Sequence, residues 1–183
     1  MDAGASTRTR ARSRRGRLTV ASLRRSVVVS ILFTLFGGPG ILLVYLPYWI
    51  TGFRTPAGPP VWQILAASVL MLIGLIPLLE SIVRFVRLGR GTLMPTVPTE
   101  RLVISGLYRY VRNPMYVGDL IVLIGETILF LSWDLGLYTV VVWLGFDLFI
   151  RLYEEPTLRR RHGEEYVHYC REVRRWWPRL TPP

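Results

Sequence analysis

The chain contains little cysteine, little histidine and no lysine. The single cysteine, Cys170, excludes a disulfide framework and a cysteine-based zinc cluster. The two histidines, His162 and His168, do not have the placement of a metal-binding pair, so we expect no metal site. Charged residues make up only 19% of the chain and hydrophobic residues 51%, a composition that excludes a disordered protein as the main interpretation.

Arginine supplies all 23 basic residues, which against 12 acidic residues give a net charge of +11. A charge of this size is typical of proteins that bind nucleic acid or an anionic membrane surface. Here the arginines flank long uncharged runs, so their distribution already has a topological cause. We therefore expect no nucleic-acid partner.

Long apolar runs predict an all-α integral membrane protein with about four transmembrane helices. In chain order the runs cover residues 26–50, 61–85, 114–132 and 136–153. A bilayer requires roughly 20 apolar residues per helix, and the first two runs satisfy that requirement best. The Gly-Gly-Pro-Gly sequence at 37–40 predicts a kink or break, and residues 132–136 predict a tight turn between the last two helices.

The positions of the arginines predict the orientation of these helices. Every arginine except Arg54 lies on one side of the predicted bundle, which puts both termini in the cytoplasm. We expect a bacterial inner-membrane protein with a basic, disordered cytoplasmic tail at 1–25 and a membrane domain at 26–183. Residues 154–183 would form its cytoplasmic tail. An organelle-targeting role for residues 1–25 is the alternative.

The third apolar run carries two acidic residues, Asp119 and Glu126. They are seven residues apart and therefore lie on one face of a helix. An ionisable group within a membrane helix usually faces a cavity or a partner. The alternative for Asp119 is a simple ion pair with Arg112 at the cytoplasmic end, whereas Glu126 lies deeper.

The fourth run has the same pattern, with Asp147 and Glu154 seven residues apart. Asp147 has Arg151 as a possible ion-pair partner. Glu154 is followed by Glu155 and Pro156, and two adjacent carboxylates are unfavourable unless each has a partner. The pair predicts a site for a cationic or hydroxyl-rich ligand, with a solvated helix end as the alternative.

The segment before the third run contains a dense polar motif. Pro114 suits the first turn of a helix, and Asn113 then occupies the N-cap position. Tyr108, Arg112 and Tyr116 cluster around this helix start, which is the kind of end that binds carboxylates and phosphates.

Two motifs in this order resemble those of a known family. The sequence Arg-Asn-Pro-Met-Tyr-Val-Gly at 112–118, followed by Tyr-Glu-Glu-Pro at 153–156, is similar to the integral-membrane methyltransferases. That group comprises the isoprenylcysteine carboxyl methyltransferases and the phospholipid N-methyltransferases. The resemblance covers about residues 60–180, and it includes the approach segment at 89–98 and Trp-Trp-Pro at 176–178. Arg-Asn-Pro replaces the Arg-His-Pro of the isoprenylcysteine branch and is closer to the phospholipid branch.

The resemblance implies S-adenosylmethionine as cofactor and a lipid-like acceptor, either a carboxylate or an amine, that arrives from the bilayer. It implies Arg112, Asn113 and Glu155 as catalytic residues. The implied cofactor-binding residues are Tyr108, Arg112, Asn113, Pro114, Tyr116, Gly118, Glu154, Glu155, Tyr166 and Tyr169. The arginine and the helix start would suit the cofactor carboxylate, the glutamates its ribose or cationic groups, and the aromatic residues its adenine or sulfonium. The absence of a Gly-x-Gly-x-x-Gly motif excludes a soluble Rossmann methyltransferase.

The C-terminal tail predicts a helix on the membrane surface. Tyr166, Tyr169, Cys170 and Val173 have the spacing of one apolar helix face. This helix could close the cofactor site as a lid or serve only as an anchor. Two other interpretations of the whole chain are a non-catalytic four-span membrane protein and a nicotinamide-dependent membrane reductase of related architecture.

Overall fold

The computed structural model describes residues 37–88, 102, 104–179 and 181. Within these ranges every regular element is a helix and none is a strand, which confirms the all-α prediction. The predicted tail at 1–25, the start of the first apolar run and the approach segment at 89–98 lie outside the described residues.

The first described helix, α1, consists of three consecutive parts: Gly38–Gly40, a π-helical turn at Ile41–Tyr45, and Leu46–Thr51. A helix begins within the predicted break at 37–40, with Gly37 as the N-cap and the proline in the first turn; the chain before Gly37 lies outside the described residues. A proline is tolerated there because its missing N–H would have no helical partner. The π turn that follows at Ile41–Tyr45 is a further irregularity. The helix ends at Gly52, whose φ of 59° is left-handed.

The second helix, α2, runs from Val61 to Leu88, three residues beyond the predicted end. It packs against α3, which runs from Pro114 to Phe130, and two glycines set their separation. A Cβ atom placed on Gly118 would lie 2.5 Å from the carbonyl oxygen of Gly74. The two backbones therefore approach as closely as only glycine permits.

A side-chain contact fixes the other end of this helix pair. Gln63 Nε2 donates to the carbonyl oxygens of Ile128 and Leu129, at 3.0 and 3.1 Å. These carbonyl groups belong to the last turn of α3, where no helical N–H is available to them. A buried amide thus satisfies a helix end that faces the interior of the bundle.

The turn between α3 and the next helix is shorter than predicted. Leu131, with a left-handed φ of 46°, ends α3, and α4 then runs from Trp133 to Phe149. Ser132 is the N-cap, and its hydroxyl accepts a hydrogen bond from the Leu135 N–H at 3.2 Å. The prediction that residues 132–136 form the turn was wrong, because the serine cap and Asp134 in the first turn start the helix at once.

The fourth helix continues beyond the predicted span without a break. A π-helical turn at Ile150–Glu154 joins it to α5, Glu155–His162. Gly163, with φ of 55°, then separates α5 from α6, Glu164–Glu172. Tyr166, Tyr169 and Val173 form a buried cluster, which confirms the predicted apolar face.

Among the residues that the structure describes, two helical segments are long and apolar enough to cross a membrane, Val61–Ser81 and Trp133–His162. The predicted total of four spans stays a prediction. The distribution of polarity is the reverse of that in a water-soluble protein: large apolar side chains cover the outside of α2 and α4, while Gln63, Asp119, Glu126 and Thr139 are buried. A lipid environment favours this arrangement, because polar groups must find partners inside the protein.

Candidate functional site

The loop before α3 pairs with the chain that follows α6. A 3-10 turn at Gly106–Arg109 opens the loop. The Arg112 N–H then donates to the Arg174 carbonyl and the Arg179 N–H donates to the Tyr110 carbonyl, both at 2.9 Å. We call residues 173–179 the C-terminal strap, since these bonds attach it across the start of α3.

Asn113 takes part in the same attachment. It occupies the N-cap position of α3, and Pro114 is in the first turn, as predicted. Its side chain, however, makes no capping bond; Nδ2 donates to the Arg175 carbonyl at 3.3 Å. The expectation that this residue belongs to the helix cap was therefore correct for the backbone and wrong for the side chain, which is buried under the strap.

Glu155 is the centre of an ion-pair network. Its Oε1 lies 3.0 Å from Arg112 Nη1, and Arg175 approaches it through Nε at 2.8 Å and through Nη2 on Oε2 at 2.9 Å. All three side chains are between 13% and 22% exposed. The hydrogen bond to this carboxylate raises the pKa of Arg175 further above its usual range, so the guanidinium stays charged. We call Arg112, Glu155 and Arg175 the arginine–glutamate triad.

The sequence prediction included Arg112 and Glu155 and missed Arg175. A signal was present, because this arginine directly precedes the Trp-Trp-Pro sequence that belongs to the resemblance. The partner of Arg112 is Glu155, so the alternative in which it pairs with Asp119 is wrong.

Asp147 links α4 to the strap. Arg151 Nε lies 2.6 Å from its Oδ2, which confirms the ion pair suggested by the sequence. Its Oδ1 accepts a hydrogen bond from the Trp176 indole at 3.0 Å and lies 3.5 Å from Arg175 Nη1. Trp177, the next residue, is 75% exposed.

Glu154 has different surroundings from its neighbour. Its Oε2 accepts a hydrogen bond from the Tyr116 hydroxyl at 3.3 Å, and the Tyr116 ring packs against Phe146 with centroids 4.6 Å apart. The π turn that ends at Glu154 is a type of irregularity often found at functional sites. The two adjacent carboxylates thus have separate partners: Tyr116 for Glu154, and Arg112 and Arg175 for Glu155.

The aromatic residues of α6 form the outer wall of the site. The Tyr169 hydroxyl donates to the Tyr108 carbonyl at 2.6 Å, and Arg112 Nη1 donates to the Cys170 sulfur at 2.8 Å. Burial raises the pKa of both Tyr166 and Tyr169 above the ordinary tyrosine value, so both phenols stay neutral. These residues connect α6 to the loop before α3.

Gly118, another predicted site residue, has an evident role in helix packing. It lies at the close approach of α2 and α3, where a side chain would overlap the backbone. Its place in the motif is explained by helix packing.

Two acidic residues line the inner face of α3. Asp119 is only 2% exposed and Glu126 only 6%, and Asp119 Oδ1 and Glu126 Oε2 are buried without a hydrogen-bond partner. Over the described parts of the chain, no group of three or more histidine, cysteine or acidic residues is placed to hold a metal ion.

The architecture defines a class: a helical membrane protein with a charged site where its helices meet a polar C-terminal segment. The sequence profile of the phospholipid methyltransferase family matches residues 62–165, more than half of the chain. The chain belongs to this family, which confirms the resemblance and makes it a membrane methyltransferase. The matched region includes both motifs, at 112–118 and 153–156. A search of curated proteins finds no match.

Proposed function

We propose that this protein transfers a methyl group from S-adenosylmethionine to a lipid-like acceptor at the cytoplasmic face of the membrane. The observation that carries the proposal is the meeting of the two family motifs: Arg112 of the first and Glu155 of the second are joined at 3.0 Å. Motifs some forty residues apart in the chain thus contribute to one charged site beside the start of α3.

The residues of the site fit the chemistry of S-adenosylmethionine. The cofactor carries a carboxylate, an ammonium, a sulfonium, a ribose diol and an aromatic base. Arg112 Nε is buried without a hydrogen-bond partner, and the first turn of α3 presents backbone N–H groups; both suit a carboxylate. Trp177 provides an exposed aromatic surface of the kind on which adenine stacks.

Each part of the triad has a separate task in this proposal. Arg112 binds the anionic end of the cofactor, and Glu155 holds Arg112 in one orientation. Arg175 fastens the strap to Glu155, which limits the access of water. The bound cofactor supplies an electrophilic methyl group, and the protein contributes alignment in a site with little water.

The acceptor determines whether a base is needed. A carboxylate acceptor is already nucleophilic, whereas an amine must first lose a proton. In this proposal Glu154 accepts that proton, because its carboxylate accepts a hydrogen bond from the Tyr116 hydroxyl and forms no ion pair with an arginine among the described residues. The apolar outer surfaces of α2 and α4 are consistent with an acceptor that diffuses in the bilayer.

Calorimetric titration of S-adenosylmethionine into the detergent-solubilised protein tests the proposal. We expect saturable binding, and Arg112→Ala should weaken it by about 10–100-fold, the scale of a lost charge-assisted contact. Arg159→Ala is the matched control, because that arginine is exposed on α5 and should leave the affinity unchanged. Transfer of a labelled methyl group into the lipid fraction of a membrane extract then identifies the acceptor class.

Absence of binding to protein that is shown to be folded would refute the proposed function. A subsequent titration with a reduced nicotinamide cofactor would then separate the reductase alternative from a non-catalytic membrane protein.

A further inference from the structure

The inner side of the site has a different charge character from the triad. Tyr116 and Asp119 are three residues apart on α3 and so project from the same face of the helix. The Tyr116 hydroxyl donates to Glu154. We call Tyr116, Asp119 and Glu154 the inner acidic pocket.

Positive charge is distributed unevenly between the two sides. Glu155 is bound by two guanidinium groups. Glu154, the adjacent residue, has no arginine or histidine within 4.0 Å among the residues that the structure describes, and the same holds for Asp119. The described arginines of the site therefore neutralise Glu155, whereas Glu154 and Asp119 lack a neighbouring basic residue among the described residues.

Asp119 is the unusual member of the pocket. Its side chain is more than nine-tenths buried, and its Oδ1 has no hydrogen-bond donor. A buried carboxyl without a donor or cation is unfavourable in an apolar interior. A positively charged ligand that enters the pocket would supply the missing interaction.

We propose that the inner acidic pocket binds an organic cation, either the sulfonium of the methyl donor or an ammonium group of the acceptor. This inference rests on the proposed function, since both groups belong to the reactants of methyl transfer. If the cation is the sulfonium, the pocket also assigns an orientation, in which the anionic end of the donor lies at Arg112 and its cationic centre lies toward Asp119.

Binding affinities for two ligands that differ in this charge test the proposal. S-adenosylmethionine carries the sulfonium, whereas S-adenosylhomocysteine has a neutral thioether in its place. We expect Asp119→Asn to weaken binding of S-adenosylmethionine about tenfold and to leave that of S-adenosylhomocysteine within about twofold. Glu126→Gln is the control, because it removes a second buried carboxylate of the same helix face two turns farther from Tyr116.

A second pair of probes examines the acceptor as the source of the cation. Dodecylammonium and dodecanol have the same alkyl chain and differ in charge. We expect the amine to stabilise the wild-type protein more than the alcohol does. If Asp119→Asn removes this difference but keeps the preference for one cofactor form over the other, the pocket binds the acceptor ammonium. Loss of the cofactor preference would assign it to the sulfonium.

The outcomes separate the two proposals. If the wild-type protein binds neither cofactor form, the proposed function fails and the pocket proposal fails with it. If both forms bind and Asp119→Asn changes neither charge preference, the pocket proposal alone is overturned. Should Asp119→Asn not fold, Glu154→Gln provides the same comparison, because Glu154 accepts the hydrogen bond from Tyr116.

Discussion

Replacement of Glu155 by glutamine tests how far the triad controls cofactor binding. The substitution preserves the size of the side chain and removes its charge. Arg175 retains a carboxylate partner, since Asp147 lies 3.5 Å from its Nη1. Arg112 loses the one carboxylate with which it forms an ion pair in the described parts of the chain. We therefore expect Arg112 to lose its fixed orientation.

The contacts at Glu155 set the size of the effect. The carboxylate makes three contacts of 2.8–3.0 Å with two guanidinium groups. A hydrogen bond to a charged group is worth about 1.5–3 kcal/mol, and partial exposure of these side chains lowers that value through solvent screening. Glutamine also retains one acceptor oxygen. A loss of about 1.4–2.8 kcal/mol in binding follows, which is a 10–100-fold weaker affinity for S-adenosylmethionine.

The assay is calorimetry on wild-type and Glu155→Gln protein in the same detergent, with thermal unfolding measured alongside. Glu164→Gln serves as the control, because this glutamate is exposed in the first turn of α6. An affinity within twofold of wild type, combined with a lower unfolding temperature, would refute the reasoning. The triad would then stabilise the strap without affecting the cofactor.

Two further predictions concern the strap and the helix packing. Arg175→Lys keeps the charge but loses the bidentate contact with Glu155, so the affinity for S-adenosylmethionine should fall. The loss should be smaller than the roughly tenfold loss expected for Arg175→Ala. An unchanged calorimetric affinity in both variants would contradict this prediction. Gly118→Ala should destabilise the protein by about 1–3 kcal/mol in thermal unfolding, because its Cβ would overlap the Gly74 carbonyl. Gly145→Ala, where a Cβ meets nothing within 4 Å, should be neutral, and equal effects at both positions would disprove the packing argument.

Helix type and approximate position followed from the sequence because apolar runs and helix caps are local signals. The limits of α2 and α3 differ from the predicted ones by only a few residues. The turn between α3 and α4 was placed too late, since the Ser-Trp-Asp-Leu-Gly sequence contains both turn residues and a helix cap. The continuation of α4 through a π turn into α5 was missed, because a polar composition after residue 153 suggested the end of the helix.

The site was predictable to the extent that its residues stand in compact motifs. Arg112 and Glu155 form an ion pair, and the Asn113 side chain binds the Arg175 carbonyl of the strap. The partners that complete the site come from the strap, and their identities depend on how the chain returns to α3, which no local pattern encodes. The Trp-Trp-Pro sequence marks this part of the chain, but it does not reveal the contact of Arg175 with Glu155, so Arg175 was missed. The difference between Glu154 and Glu155 was equally hidden, because it arises from the direction each side chain takes in the folded helix.

The attachment of the strap has a consequence for biosynthesis. Residues 173–179 leave the ribosome after helices α1 to α6, yet they supply the carbonyl groups that hold Arg112 and Asn113. Insertion of the apolar helices and assembly of the site are therefore separate events, and the second requires that the strap has already been synthesised. A premature stop shortly after α6 would remove Arg175, so such a chain would carry no completed site into the membrane.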